Sequence, residues 1–285
     1  MTVIDEIAGR SFVRIEYVAF PLCGSKHDPR AITTRFGQVA MVANCEACDL
    51  GYQTPRPTLE ASIAYMDWRW SSEDAYVRDN DGKRKTSAKQ ISIVRDQVGD
   101  KKVRVLDFGA GSGAFVKAAI DAGHDAVGIE HSQGAIDRAL EDYGVTILKE
   151  VPAGETFDVV TMWDVIEHLR DPISVLTMVK NLLKPGGILI IETGNYEFWE
   201  RHSLGDKWRL YLLDHHFYFT PKSLAETISR ANFKETSLLR VSPKKPRLKI
   251  GRPISSWRNF KIATAAKRKY PDQYDIPLLY AVARK

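Results

Sequence analysis

The stretch Val105-Leu106-Asp107-Phe108-Gly109-Ala110-Gly111-Ser112-Gly113 constrains this chain more than any other. An apolar run closes on an acid, and three alternating glycines then lead into an amphipathic segment. That order reads as a buried strand, a tight turn and the opening of a helix. Glycines at such a turn let the backbone bend and let a ligand approach without meeting a Cβ.

Spacing separates two kinds of nucleoside-binding turn. Gly109, Gly111 and Gly113 form Gly-x-Gly-x-Gly with Asp107 two residues ahead, whereas the dinucleotide fingerprint is Gly-x-Gly-x-x-Gly. A carboxylate beside the turn repels a pyrophosphate and suits an ammonium group, bound directly or through water. The expected ligand is therefore zwitterionic. Glu130 closes the next strand, where a carboxylate can accept both ribose hydroxyls. A bare turn and a surface strand-end acid are the plain alternatives at these two places.

From Lys101 onward, short apolar runs alternate with amphipathic segments, the pattern of a parallel sheet with crossover helices. Strands are predicted at Val103–Asp107, Ala126–Glu130, Val145–Leu148, Phe157–Met162 and Ile188–Glu192, and helices near Gly113–Ala122, Gln133–Tyr143 and Pro172–Leu183. Lys184-Pro185-Gly186-Gly187 turns the chain into the fifth strand, and Thr220-Pro221 caps and opens a further helix. Two more strands, about Lys234–Val241 and Pro277–Ala283, complete a doubly wound, Rossmann-like α/β sheet of seven strands. The expected organisation is a small Cys-containing head (1–57), a helical linker or lid (58–100) whose mobile part is Ser71–Lys85, and a main domain (101–285) carrying a basic insertion (243–271) before its last strand.

Together these residues resemble a class I S-adenosylmethionine-dependent methyltransferase over most of Lys101–Lys285. The resemblance implies that Asp107, Gly109, Ala110, Gly111 and Gly113 hold the methionine part of the cofactor S-adenosylmethionine, and that Glu130, with His131, holds its ribose. Phe157-Asp158-Val159-Val160 and Trp163-Asp164-Val165-Ile166-Glu167-His168-Leu169 are similar to the fourth-strand exit of many small-molecule methyltransferases, which adds Trp163 and Asp164 to the cofactor set. Lys149 and Glu150 stand where the family often contacts adenine, and that contact is left unassigned.

Methyl transfer from a sulfonium is an in-line displacement, so the protein must align the acceptor and, for a hydroxyl, take its proton. Asp214-His215-His216, ahead of Phe217-Tyr218-Phe219-Thr220, resembles the acid–His pair of related methyltransferases. His215 is the first candidate base, with His168 and Glu167 behind it. The plain alternatives are helix-entry hydrogen bonding for His215 and His216 and a structural link for His168. Tyr196, Trp208 and Tyr211 follow the fifth strand and could face the acceptor, core packing being the alternative for each.

Cys45-Glu46-Ala47-Cys48 has zinc-knuckle spacing, and Pro21-Leu22-Cys23-Gly24 resembles half of a second knuckle. Similar heads occur in methyltransferases acting on nucleotide-linked sugars and surface polysaccharides. Their first knuckle reads Cys-x-x-Cys, whereas Phe20 stands in its leading place here. Either His27 joins Cys23, Cys45 and Cys48 around a structural zinc, or the head is metal-free and packed by Phe20. The head and the following helices would cover the acceptor pocket, where Tyr65 or Trp68 could touch substrate.

Charge is regional. The chain carries 41 Lys+Arg against 36 Asp+Glu, and Thr236–Pro271 alone holds 11 basic residues and no acidic one. Such a stretch, with Lys244 and Lys245 at its start, suits a diphosphate or polyanionic glycan, RNA phosphates or an anionic membrane surface, a solvated cationic face being the plain alternative. Three cysteines are too few for a disulfide framework and fit a reducing compartment. No secretory leader or membrane-spanning run is seen, which makes the cytoplasm the expected location. The expected function is O-methylation of an anionic sugar or glycan-type acceptor in polysaccharide biosynthesis. A nucleic-acid methyltransferase, an NAD-dependent oxidoreductase and a non-catalytic cofactor-binding module are the alternatives.

Overall fold

The computed structural model describes residues 5–7, 10–12, 15–18, 22–24, 27–34, 37–71, 80–239 and 277–285. The basic insertion with Lys244 and Lys245, Phe20, and the last two positions of the expected strand at Lys234–Val241 lie outside the described residues.

The head contains β1 (Asp5–Ile7), β2 (Arg10–Phe12), β3 (Ile15–Glu16), β4 (Arg30–Thr33), β5 (Val39–Cys45), β6 (Leu50–Gln53) and β7 (Arg56–Pro57), followed by α1 (Leu59–Ser71) and α2 (Asn80–Val98). The main body runs β8 (Arg104–Phe108), α3 (Ala114–Asp121), β9 (Asp125–Ile129), α4 (Gln133–Tyr143), β10 (Phe157–Trp163), α5 (Pro172–Leu182), β11 (Leu183–Gly194), α6 (Trp199–Leu204), β12 (Phe217–Tyr218), α7 (Pro221–Arg230), β13 (Glu235–Leu239) and β14 (Leu278–Arg284). The helix α2 starts inside the stretch expected to be mobile.

The main sheet has the order β13-β14-β11-β10-β8-β9. Its β8 to β11 pairings are parallel, and β14 runs antiparallel to both of its neighbours. Six strands, rather than the expected seven, form it among the described residues. Val145–Leu148, expected as a strand, touches the sheet through one bridge between Ile129 and Leu148. The reason is packing: Val145 and Ile147 are buried beside Val116 and Ala139 of the helical layer, so only the end of the segment reaches ladder distance. The fifth strand starts at Leu183, earlier than expected, and takes up Pro185 and Gly186 through a register shift opposite Phe157–Val159.

Local chemistry explains the helix ends. Ser132 accepts the Ala135 N–H ahead of α4, Asp171 accepts the Ser174 N–H ahead of α5, and Thr220 and Ser223 form a reciprocal capping box on α7. Each satisfies an N–H that a helix start leaves unpaired. Apolar faces of α5 and α7 bury Leu176, Val179, Leu224 and Ile228 against one face of the sheet, while Ile93, Val94, Phe115 and Ala119 cover the other.

A second sheet, in the order β12-β6-β5-β4, joins head and body. Its β12 belongs to the body and pairs antiparallel with β6 of the head, Phe217 opposite Tyr52 and Tyr218 opposite Gly51. Since β12 directly follows Asp214-His215-His216, this pairing sets where those three residues stand.

Candidate functional site

The neighbours of β8 are β9 on one side and β10 on the other, so its carboxyl end opens at the point where strand order reverses, the usual ligand crevice of an open α/β sheet. Gly109, Gly111 and Gly113 take φ of 76°, 51° and 75°, angles that side-chain-bearing residues avoid. A Cβ on Gly109 would fall 2.7 Å from Val165, and one on Gly113 would fall 2.5 Å from Val145. The turn is therefore held tight by the body on both sides.

Asp107 is 2% exposed and accepts the Thr161 hydroxyl at 2.8 Å. Burial, with the negative charge of Glu130 adding to it, pushes its carboxyl up to about 7. A buried acid in that condition is a fitting partner for an ammonium group. Glu130 folds over the glycine turn: one oxygen accepts the His131 and Ser132 N–H groups at 2.7 and 3.0 Å, and the other accepts the Gly111 N–H at 3.1 Å. Ala110 donates its N–H to Ile129 at 2.9 Å, His131 is exposed, and its carbonyl takes the Lys149 ammonium at 2.8 Å. Trp163 leans on Phe115 with ring centroids 5.1 Å apart, and its buried Nε1 has no hydrogen-bond partner among the described residues. Asp164, at φ 54°, is exposed, yet the protein packed around it and the charge of Glu192 lift its carboxyl to about 7. An ammonium partner, an acid at the ribose position and an unmatched indole donor fit the expected cofactor.

The acceptor side is arranged differently from the expected acid–His pair. Asp214 is ion-paired with Arg69 of α1, and its carboxylate lies 3.7 Å from His168 Nδ1. Burial alone would raise this acid, yet His168 and the Arg69 guanidinium beside it hold it at about 2. His168 Nδ1 also lies 2.7 Å from the Asp214 carbonyl oxygen. A carbonyl can only accept, so Nδ1 carries a proton, and whenever the ring is neutral the lone pair is on Nε2. His215 meets His168 edge-on at 4.7 Å and is 7% exposed; burial, with His168 adding to it, pushes it down to about 3. Glu167 is buried, accepts the Thr193 hydroxyl at 2.9 Å, and is raised well above the usual carboxylate range by burial and by Asp164. Ligand atoms of Glu167, His168 and His215 lie within 4.8 Å of one another. His216 ties the region to the head, donating its N–H to the Glu167 carbonyl and accepting the Gln53 N–H at its own carbonyl.

Tyr196, Trp208 and Tyr211, expected to face substrate, are 5%, 2% and 0% exposed. They pack with Tyr218, Ile32 and Val42 between head and body, and the Tyr196 hydroxyl donates to Asn44 at 2.7 Å. Their role in the fold is to join the two parts. Tyr65 is likewise 2% exposed and packs with Leu213 beside Trp68. Three neighbours of the site carried no sequence signal: Thr161, Arg69 and Trp70 reach it from other elements, through contacts that no local spacing encodes.

A family profile described as a methyltransferase domain matches residues 78–238, more than half of the chain. The chain belongs to this family. Among curated relatives of the methyltransferase, a ubiquinone biosynthesis O-methyltransferase of Dinoroseobacter shibae is 39% identical over 105 residues, covering 33% of this chain and 42% of that one. Its namesake in Cereibacter sphaeroides is 32% identical over 146 residues, covering 45% and 59%. The chain thus spans about half the length of the curated relatives it matches. Two solved structures share the fold. An S-adenosylmethionine-dependent methyltransferase from Archaeoglobus fulgidus has a TM-score of 0.51 at 18% identity, covering 71% of this chain and 94% of that one. The plantazolicin methyltransferase BpumL, in complex with S-adenosylhomocysteine (SAH), has a TM-score of 0.51 at 18% identity, covering 80% and 96%.

In the head of the methyltransferase, sulfur atoms of Cys23, Cys45 and Cys48 converge within 4.8 Å. Cys23 and Cys45 sulfurs are 3.8 Å apart, and the Cys48 N–H points at the Cys45 sulfur at 3.5 Å. Burial and the two neighbouring thiols push Cys48 up to about 12. His27 is not in this convergent group; its ring faces Tyr52 at 6.5 Å. Among the described residues, no helix is long and apolar enough to cross a membrane.

Proposed function

We propose that this methyltransferase uses S-adenosylmethionine to methylate a hydroxyl group of a small molecule, with His168 taking the hydroxyl proton. The observation that carries the base assignment is the His168 Nδ1 contact to the Asp214 carbonyl, which makes Nε2 the accepting nitrogen of the neutral ring. His168 keeps 20% of its side chain exposed, so an acceptor can reach it. The ionised Asp214 beside its ring would favour the imidazolium formed on proton transfer. His215, buried and pushed down to about 3, is a poor resting place for a proton near neutrality and serves as a wall that orients His168.

The cofactor, when bound, supplies a methyl group on a cationic sulfur. Asp107 would pair with its ammonium and Glu130 with its ribose. Three of the roughly four acceptor positions on a carboxylate are already used by backbone N–H groups, so Glu130 must release one of them to hold two ribose hydroxyls. Small-molecule O-methylation follows the names of the curated relatives. The names of those two relatives give no sugar acceptor.

The test is transfer of a labelled methyl group from S-adenosylmethionine to a panel of small phenols, aliphatic alcohols and sugar nucleotides, read by mass spectrometry. An O-methylated phenol or alcohol, lost in His168→Ala, supports the proposal. Methylation only at nitrogen overturns it. The convergence of Glu167, His168 and His215 favours one second reading, a divalent cation at those three groups. Turnover abolished by a chelator and restored by zinc or another imidazole-binding divalent ion would select it.

In the head, three converging thiols suit zinc, which takes thiolate ligands in tetrahedral sites. We propose a structural zinc on Cys23, Cys45 and Cys48, its fourth position filled from outside the thiol cluster.

A further inference from the structure

The last turn of α1 lies across both halves of the site. Two ring atoms of Trp70, Cη2 and Cζ2, stand 3.2 Å from where a Cβ on Gly111 would sit, and among the described residues nothing else outside the turn comes within 4 Å of that point. The open face of Gly111, the one a ligand would use, therefore looks at an indole. Trp70 also abuts the first turn of α4: its Cβ is 3.2 Å, its carbonyl carbon 3.4 Å, and the Ser71 nitrogen 3.3 Å, from a Cβ built on Gly134. Arg138 of α4 donates to the Trp70 carbonyl at 3.5 Å. These contacts place the ring on the side of the turn where the Glu130 loop leads into α4, which is the ribose side. One residue earlier, Arg69 makes its ion pair with Asp214.

We propose that Trp70 is a cofactor-contact residue whose indole stacks on the adenosine of the bound nucleoside, and that Arg69 is the positioning residue anchoring this wall to the acceptor side. The proposal rests on the S-adenosylmethionine reading and supplies the adenine contact that the end of the third segment did not. Three features support it. The ring is partly exposed, and the Lys83 ammonium stands 5.9 Å from its centroid, so a base stacked there would share or displace that cation. Stacking on an aromatic face recognises a base without any hydrogen-bond code. Arg69 and Trp70 are consecutive, so a shift of the indole on cofactor binding is felt directly at the Asp214–His168 contact.

SAH is the probe, added to the full chain and followed by calorimetry and by tryptophan emission. Trp70→Ala should weaken SAH binding by about tenfold, the scale of one lost base–aromatic stack, while Trp70→Phe should stay within about threefold of the parent. In a Trp163→Phe background, which silences the other indole of the cofactor site, SAH should change the emission, and adding Trp70→Phe should remove that change. Arg69→Gln should diminish the same emission change, a readout that a purely structural ion pair would not move. Unaltered SAH affinity in Trp70→Ala, with the parent binding normally, overturns this inference alone. A parent that gives no heat with SAH brings down the cofactor reading as well. Should Trp70→Ala fail to fold, an SAH emission change that survives when both Trp163 and Trp70 are replaced by Phe overturns the assignment.

Discussion

Thr161 and Asp107 face each other across the β8–β10 pair, and the hydroxyl of the first is the 2.8 Å hydrogen-bond donor to the carboxyl of the second. One neutral donor does not offset the loss of water around a buried carboxylate, so the acid rests at about 7. Its folded-state value lies above its ordinary 3.8, so Asp107 favours folding most at acidic pH, and that contribution is lost as pH rises through about 7. An ammonium ligand needs the ionised form. SAH affinity should therefore climb from about pH 6 to about pH 8 and level off where the ligand's own amino group loses its proton. Calorimetry across that range checks the trend, and Asp107→Asn should both weaken binding and flatten the profile.

Gly113 caps α3 at φ 75°, and an added Cβ would meet Val145 at 2.5 Å and Ala139 at 3.0 Å. Gly113→Ala combines a disfavoured backbone angle with overpacking and should cost about 1–3 kcal/mol of stability. Urea denaturation with unchanged slope and a lower midpoint is the expected record.

His168→Ala should lower turnover by about 10²–10⁴-fold, the range for a lost general base, with SAH affinity close to the parent. His215→Ala should cost less, because His215 at about 3 does not hold the proton. Asp214→Asn should fall between them, since it removes the charge facing His168 and Arg69 but leaves the backbone carbonyl in place. Equal losses in the two histidine variants would reverse the roles assigned here.

Protein prepared with zinc should carry one ion per chain by atomic absorption, and Cys45→Ser, which removes one of the three converging sulfurs, should lose it. Chelation should lower the thermal midpoint of the parent and leave that variant unmoved. A parent free of zinc, with the same midpoint before and after chelation, would show that the three thiols pack without a metal.

Much of the main sheet was readable because its information is local. Apolar runs of strand length, Gly144 and Gly113 at helix ends, and the Thr220-Pro221 cap act within a few residues, and α4 occupies Gln133–Tyr143 as its pattern indicates. Val145–Leu148 misled for the same reason: a short apolar run has the look of a strand whether its side chains serve the sheet or, as Val145 and Ile147 do, the helices above it. Tyr196, Trp208 and Tyr211 have the composition of a sugar-binding wall and the location of a core, and only the packing of the head against them decides between the two.

The sequence by itself determined the glycine turn, its two acids and the strand-to-helix order around them, because backbone angles and hydrophobic period depend on near neighbours. Tertiary structure decided the partners: Asp214 with Arg69 and His168 rather than in a simple pair with His215, and Trp70 opposite Gly111. These groups lie 46 and 145 positions from Asp214. Periodicity says which side of an element turns inward, but which group waits there is settled only when the layers pack.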